Sequence, residues 1–278
     1  MQTMDSKRAT WKDWGGEGPD LHFAHGNGFP PGTYMRVIRK LASRFHVQSL
    51  EARPLWPGEP GPYLRNWDPL VRDIANEIRA RDMRGCVAVG HSLGGVCSLL
   101  AAAEDPGLFG RIVAIDPVLF TGGRSIFWRL MKRTGLTARF PLVRNAARRR
   151  VRWDSREQVR KSYSGKALFA TWCPDCLDAY LDEVLEPVPD GGVMLRYPPD
   201  WEAAVFAATP CCLWDRLARL SVPVLVLRGS RSTAFTRQAA RRFEQTVPNS
   251  VVREIPGTHM VPVERPDEVA RAVLEFLG

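Results

Sequence analysis

The chain has 278 residues, which suits one large domain or two small ones, and its 45% apolar and 25% charged content is ordinary for a globular protein. That composition excludes disorder, a collagen repeat or a coiled coil as a description of the whole chain. The net charge of +9 is concentrated: residues 121–165 hold 13 Lys/Arg against Asp154 and Glu157, so the remainder is close to neutral, which argues against a generally basic nucleic-acid binder.

The opening 18 residues contain no apolar run of signal-peptide type. The long apolar stretch 85–103 is punctuated by Gly90, Gly94 and Gly95, a pattern that fits a strand, a tight turn and a helix better than a membrane span. The chain therefore reads as soluble and cytoplasmic, with no membrane span. Its oligomeric state is not legible.

Short β-branched or apolar runs predict strands at 21–24, 45–50, 86–89, 112–115, 224–227 and 251–255. Helical periodicity appears at 69–81, 95–104, 237–246 and 264–277. Strands alternating with helices imply a mostly parallel central sheet with helices on both faces, an α/β fold. The alternation breaks between 120 and 220 and resumes at Val222. This predicts a core of 1–120 plus 221–278, with a helical insertion at 121–220. The first half of the insertion is basic, while 167–202 has eight Asp/Glu against Arg196 alone. The two halves are expected to pack on one another, leaving Arg148, Arg149 and Arg150 as a solvated or salt-paired face. Anionic substrates, acidic lipids or nucleic acid are the alternative partners of that run. The insertion's aromatics, including Phe127, Trp128, Trp153, Trp172 and Trp201, are expected mostly in its core, with an aromatic roof over an acyl group as the alternative.

Six cysteines are present. Cys86 and Cys97 lie in apolar runs and read as core thiols. Cys173-Pro174-Asp175-Cys176 is a single C-x-x-C with neither a second such pair nor a nearby histidine. It is therefore not read as a zinc site, and free thiols are expected.

Chemistry concentrates in three turns, each directly after a predicted strand. Gly90-His91-Ser92-Leu93-Gly94 stands between a strand and a small-residue helix. A serine on such a turn is exposed at the sheet's C-terminal edge, and the helix that follows aims its first N–H groups at developing negative charge. His25-Gly26-Asn27-Gly28-Phe29-Pro30 follows the first strand. It lacks both the dinucleotide-binding glycine pattern and a phosphate-loop lysine. The turn can present backbone N–H groups to an oxyanion, so Asn27 with Leu93 is the expected pair and Gly28 a competitor to Asn27. Pro256-Gly257-Thr258-His259-Met260 places a histidine on a late loop. A serine hydroxyl needs a base of pKa near 7, and His259 has the right position for it. His25 and His91 read instead as scaffold donors.

Taken together, HGNGF, GHSLGG, a late GTH and an insertion before the last two strands resemble the α/β-hydrolase fold superfamily over nearly the whole chain. The resemblance implies a cap at about 121–220, a catalytic triad in the order Ser, acid, His with Ser92 and His259 as members, and no metal or organic cofactor. The sequence departs from the usual pattern at the acid. The loop 228–233, where many members carry Asp about three residues past a glycine, holds Ser232 at that place. The alternative position, after the strand following the elbow helix, holds Asp116. The expected triad is Ser92, His259 and Asp116, with a Ser–His dyad as the alternative. The expected reaction is hydrolysis of a carboxylic ester through an acyl-enzyme, with lactone, thioester, amide or C–C cleavage, or non-catalytic ligand binding, as rivals.

Overall fold

The computed structural model describes residues 9–59 and 61–278. The first eight residues of the N-terminal segment that was read for a signal peptide lie outside them. In chain order the first half of the sheet region is β1 (Trp11–Asp13), β2 (Asp20–Ala24), α1 (Met35–Leu41), β3 (His46–Leu50), α2 (Asp68–Ala80), β4 (Cys86–His91), α3 (Leu93–Glu104) and β5 (Phe109–Ile115). An insertion follows: α4 (Gly122–Arg133), α5 (Pro141–Ala147), β6 (Arg152–Trp153), α6 (Arg156–Ser164), α7 (Pro174–Val184), β7 (Leu185–Pro187), β8 (Val193–Leu195), α8 (Pro199–Ala207) and α9 (Trp214–Leu217). The chain then returns to the sheet with β9 (Val224–Gly229), α10 (Arg237–Thr246), β10 (Ser250–Ile255), α11 (Val261–Glu264) and α12 (Pro266–Leu277).

The main sheet has seven strands in the order β1-β3-β2-β4-β5-β9-β10, parallel except for β1, which pairs antiparallel with β3. Central strands such as β9 are buried along their whole length, so they read as continuous apolar runs. Helix α2 instead buries one stripe, Leu70, Val71, Ile74, Ala75 and Ile78. The chain runs outward from β2 to β3 and then returns to the other side of β2 as β4. The order therefore reverses between β2 and β4, and in an open parallel sheet the crevice beyond the strand ends at such a reversal is where ligands bind. The turn after β2 and the turn after β4 are the first two of the three motif turns.

The insertion is not purely helical. It carries a three-stranded antiparallel sheet in the order β6-β8-β7, whose strands of two or three residues are too short to show a period. It also has its own small core of Trp128, Val143, Ala146 and Ala203. Its attachment to the sheet region is partly polar: Trp67 Nε1 donates to Val205 O at 2.8 Å, Trp214 Nε1 donates to Phe120 O at 2.9 Å, and Arg196 meets buried Glu51 at 3.1 Å. Among the described residues no helix is long and apolar enough to cross a membrane.

The expectation of free thiols holds for Cys86 and Cys97, which are buried, and for Cys211 and Cys212. It fails at Cys173 and Cys176, which form a disulfide. Pro174 starts α7, so the C-x-x-C spans its first turn and brings the two Cα atoms to 5.2 Å, within bridging range.

Candidate active site

Ser92 closes β4 and caps α3 with φ 54° and ψ −114°, a region that side-chain-bearing residues avoid. The neighbouring glycines make this turn possible. A Cβ on Gly94 would stand 2.2 Å from the carbonyl oxygen of Ala24, and one on Gly90 would stand 2.7 Å from the Gly94 carbonyl carbon. The β2 strand end thus packs directly against the elbow. Sequence required the small residues; the structure shows that the backbone of the neighbouring turn fills the space.

Ser92, His259 and Asp116 form a hydrogen-bonded chain. Ser92 Oγ lies 3.0 Å from His259 Nε2, and His259 Nδ1 lies 2.7 Å from Asp116 Oδ2. A carboxylate accepts only, so Nδ1 carries its proton and the Nε2 lone pair faces the serine hydroxyl. Asp116 has φ 44° and is fully buried. Its backbone N–H donates to Leu227 O at 2.7 Å, and its Oδ1 accepts from Gly229 N–H at 2.9 Å. The Ser232 hydroxyl donates to Oδ2, the oxygen that also meets His259. The His259 side chain, in the middle of this chain, is 30% exposed, while Ser92 at its outer end is buried.

The two other motif histidines are structural. His91 Nε2 donates to the His259 carbonyl at 2.9 Å, while its Nδ1 accepts from the Tyr34 hydroxyl at 2.8 Å. The Tyr34 oxygen in turn accepts from Gly26 N–H at 3.1 Å. Burial, and then the neighbouring His259, hold the His91 pKa well below the usual imidazole value. His25 Nδ1 donates to Gly26 O at 2.9 Å and its Nε2 accepts from Ala52 N–H at 2.8 Å; burial lowers its pKa too. Both rings are therefore neutral pins. One fixes the loop of His259 and the other fixes the turn after β2.

Neither Asn27 N–H nor Leu93 N–H meets a protein acceptor among the described residues. Leu93 opens α3, so its amide has no intrahelical acceptor by position. The Asn27 side chain is committed elsewhere: Nδ2 donates to Glu202 O at 2.9 Å, and Oδ1 accepts from the Tyr197 hydroxyl at 2.8 Å. The adjacent Gly28 has φ 77°, and a Cβ there would lie 2.9 Å from the Glu202 carboxyl carbon. The insertion thus holds the turn from above.

Several residues around the site were not legible as such. Glu264 was read as the first residue of an amphipathic helix. It is buried, accepts from Thr258 N–H at 2.6 Å and from the Thr258 hydroxyl at 2.8 Å, and so braces the loop that carries His259. The hydroxyl of Thr171, from the insertion, reaches the same carboxylate. The sequence groups Arg149 with its neighbours as a solvated or salt-paired face; Arg149 is the salt-paired member, and its side chain is only 19% exposed. It pairs with Glu202 and donates to the hydroxyls of Tyr180 and Tyr163 at 2.8 and 3.2 Å. A buried-acid signal exists at Glu264, since it lies among Val261, Pro262 and Val263. No local signal separates Arg149 from Arg148 and Arg150.

The basic and acidic halves of the insertion meet only in part. Arg156 and Arg160 pair with Asp178, and Arg152 pairs with Asp190. The helix α4 does not share in this pairing. Trp128, Trp153, Trp172 and Trp201 are buried as expected, but Phe127 is exposed.

A mostly parallel sheet with a strained serine elbow, a histidine on the last strand loop and a segment inserted between two of its strands defines a hydrolase of α/β type. A model of the alpha/beta hydrolase family matches residues 23–272, and the chain belongs to that family. The chain is 24% identical over 260 residues to the uncharacterized hydrolase YugF of Bacillus subtilis, covering 88% of this chain and 85% of that one. It is also 24% identical over 267 residues to 2-(acetamidomethylene)succinate hydrolase of Mesorhizobium japonicum, covering 94% and 89%. The crystal structure of E-2-(acetamidomethylene)succinate hydrolase superposes with a TM-score of 0.79 at 22% identity, over 96% of this chain and 94% of that one.

Proposed function

We propose that the protein is a serine hydrolase that cleaves a carboxylic ester of a small molecule through an acyl-enzyme. The observation that carries this reading is the hydrogen-bonded chain Ser92–His259–Asp116, with contacts of 3.0 and 2.7 Å. Ser92 Oγ attacks the carbonyl carbon as His259 Nε2 removes its proton. Asp116 holds the imidazole in the required tautomer and stabilises the imidazolium. The amides of Asn27 and Leu93 receive the oxyanion. The imidazolium returns the proton to the leaving alcohol, and the same histidine then activates water to release the acid. Residues 121–220 act as the cap above this site.

A second reading, hydrolysis of an amide by the same residues, is favoured by the similarity to a relative named 2-(acetamidomethylene)succinate hydrolase over 94% of this chain. Turnover of matched p-nitrophenyl ester and anilide series separates the two. The test common to both is fluorophosphonate labelling with mass mapping. The label is expected on Ser92, and Ser92→Ala is expected to abolish labelling and turnover while the fold stays intact. Parent-level turnover in Ser92→Ala would reject the reading.

A further inference from the structure

We propose that the outer face of α4 is a docking surface for an anionic lipid membrane. Between Asp116 and Asp154 the chain has ten Lys/Arg and no Asp or Glu. Part of that excess is neutralised in three dimensions: Arg149 meets Glu202 and Arg152 meets Asp190. The arginines of α4 are not. Among the described residues neither Arg129 nor Arg133 has a carboxylate partner, and Arg124 meets only the Thr233 carbonyl and the Phe120 ring.

The same helix exposes large apolar side chains. Ile126 is 61% exposed, Phe127 51% and Leu130 59%, while Trp128 on the opposite face is buried in the insertion's small core. At 100° per residue, Ile126 and Leu130 lie 40° apart at the centre of the outward arc. Arg133 and Arg129 flank them on one side and Phe127 on the other, while Arg124 lies 40° from buried Trp128. An apolar stripe bordered along one edge by Arg129 and Arg133 is the pattern of a helix lying in a lipid interface: the apolar side chains enter the acyl boundary and the guanidinium groups meet the headgroups. Leu142 on α5 is exposed as well, and among the described residues Arg144 of that helix has no carboxylate partner.

The charge chooses the partner. A neutral surface gives these cations nothing, and a solvated basic helix has no reason to leave Ile126, Phe127 and Leu130 in water. Nucleic acid satisfies the arginines but not the apolar centre of the stripe, which only an acyl layer fills.

The experiment is vesicle sedimentation of the full chain with phosphatidylcholine alone and with added phosphatidylglycerol. Binding is expected only with the anionic lipid. It should fall at least tenfold when ionic strength rises from about 0.1 M to about 1 M, where the screening length shortens to about 3 Å. The triple variant Ile126→Ser/Phe127→Ser/Leu130→Ser and the double variant Arg129→Glu/Arg133→Glu should each lose at least tenfold in partitioning. Fluorophosphonate labelling should be unchanged, because none of these residues touches the Ser92 site, and it reports folding of each variant. Equal binding to neutral vesicles, or no vesicle binding, overturns the proposal. So does binding of single-stranded RNA that needs Arg129 and Arg133 while the triple serine variant leaves vesicle binding intact. A concentration-dependent dimer abolished by the triple serine variant, without vesicle binding, assigns the face to a second copy instead.

Discussion

The Ser232 hydroxyl donates to the Asp116 carboxylate oxygen that faces His259 Nδ1. Ser232 occupies the loop after β9 where the family resemblance places an acid. Here the carboxylate comes from the end of the neighbouring strand β5, and the loop after β9 supplies the hydroxyl of Ser232 and the N–H of Gly229 that hold it. Two adjacent parallel strands end on the same edge, so one carboxylate presented from either reaches the same imidazole nitrogen.

This geometry separates two variants. Asp116→Asn presents an amide where Nδ1–H needs an acceptor of full charge, and turnover is expected to fall on the order of 10⁴-fold. Ser232→Ala removes one hydrogen bond to a charged group, worth about 1.5–3 kcal/mol, and is expected to cost no more than about a hundredfold. Asp116→Asn combined with Ser232→Asp should recover part of the loss, because the new carboxylate starts from the position that now touches Asp116. The check is kcat on a p-nitrophenyl ester with circular dichroism of each variant. Equal losses in Ser232→Ala and Asp116→Asn would refute the division of roles.

Much of this arrangement was legible because the site rests on local patterns. Strands β2, β4, β5 and β9 announce themselves as apolar runs, and each is followed by a turn whose glycines or polar residues carry the site. Asp116 came from the family resemblance, which offers the end of the strand after the elbow helix as a second place for the acid where 228–233 holds no carboxylate. What stayed hidden depends on long-range pairing. Strand β1 is three residues, Trp11–Asp13, recruited by β3 rather than by its own pattern. The β6-β8-β7 sheet joins segments some forty residues apart in the chain. The burial of Arg149 follows from the placement of Glu202, which no spacing rule connects to it. The Cys173–Cys176 bridge required knowing that Pro174 begins a helix.

Acid should destabilise the fold through its buried imidazoles. His22 is fully buried, and burial followed by the charge of His25 depresses its pKa to about 3; burial depresses those of His25 and His91 as well. The folded state resists a proton that the unfolded chain accepts below 6.5. Stability is therefore intact above that value and falls as pH drops, for His22 down to about 3. Each such residue contributes a slope of up to about 1.4 kcal/mol per pH unit. His46 works in the opposite direction, since hydrogen bonding to Asp13 and Asp20 raises its pKa, but it is solvent-screened at the surface. Urea unfolding between pH 7 and pH 5 should show the decline, and His22→Gln should flatten it. An unchanged slope in that variant would remove His22 from the account.

The loop of His259 depends on Glu264. Its carboxylate holds the Thr258 N–H at 2.6 Å, the Thr258 hydroxyl at 2.8 Å and the Thr171 hydroxyl. Glu264→Ala strands these donors in a buried setting and is expected to destabilise the fold by about 1–3 kcal/mol per unsatisfied group. Turnover should fall through misplacement of His259, while Glu264→Gln, which keeps an accepting oxygen, should retain more of both. Thermal unfolding and kcat on the two variants test this. A Glu264→Ala protein with parental stability would show that the loop holds itself.

Arg148, Arg149 and Arg150 are adjacent in sequence and unlike in the fold. Arg148 and Arg150 are exposed, so replacing either with Gln is expected to change stability by no more than about 0.5 kcal/mol. Arg149 lies between Glu202 and the hydroxyls of Tyr163 and Tyr180. Glu202 is 7% exposed, and its carboxylate lies against Gly28 of the turn that carries the Asn27 amide. Arg149→Gln therefore leaves a buried, uncompensated negative charge, at a cost of about 3–5 kcal/mol. That charge also opposes the oxyanion proposed to form at the adjacent turn, so kcat should drop more than KM changes. Removing both charges, as Arg149→Met with Glu202→Gln, should restore most of the stability and most of kcat, because a lost ion pair costs far less than half of one. Urea unfolding and steady-state kinetics on Arg149→Met, Glu202→Gln and their double variant form a closed cycle, with Arg149→Gln measured beside it. If Arg149→Gln behaves like Arg148→Gln, the pair is only surface decoration. If the double variant is as impaired as Arg149→Gln, the arginine acts through its shape and its tyrosine contacts, and not through the charge it cancels beside the site.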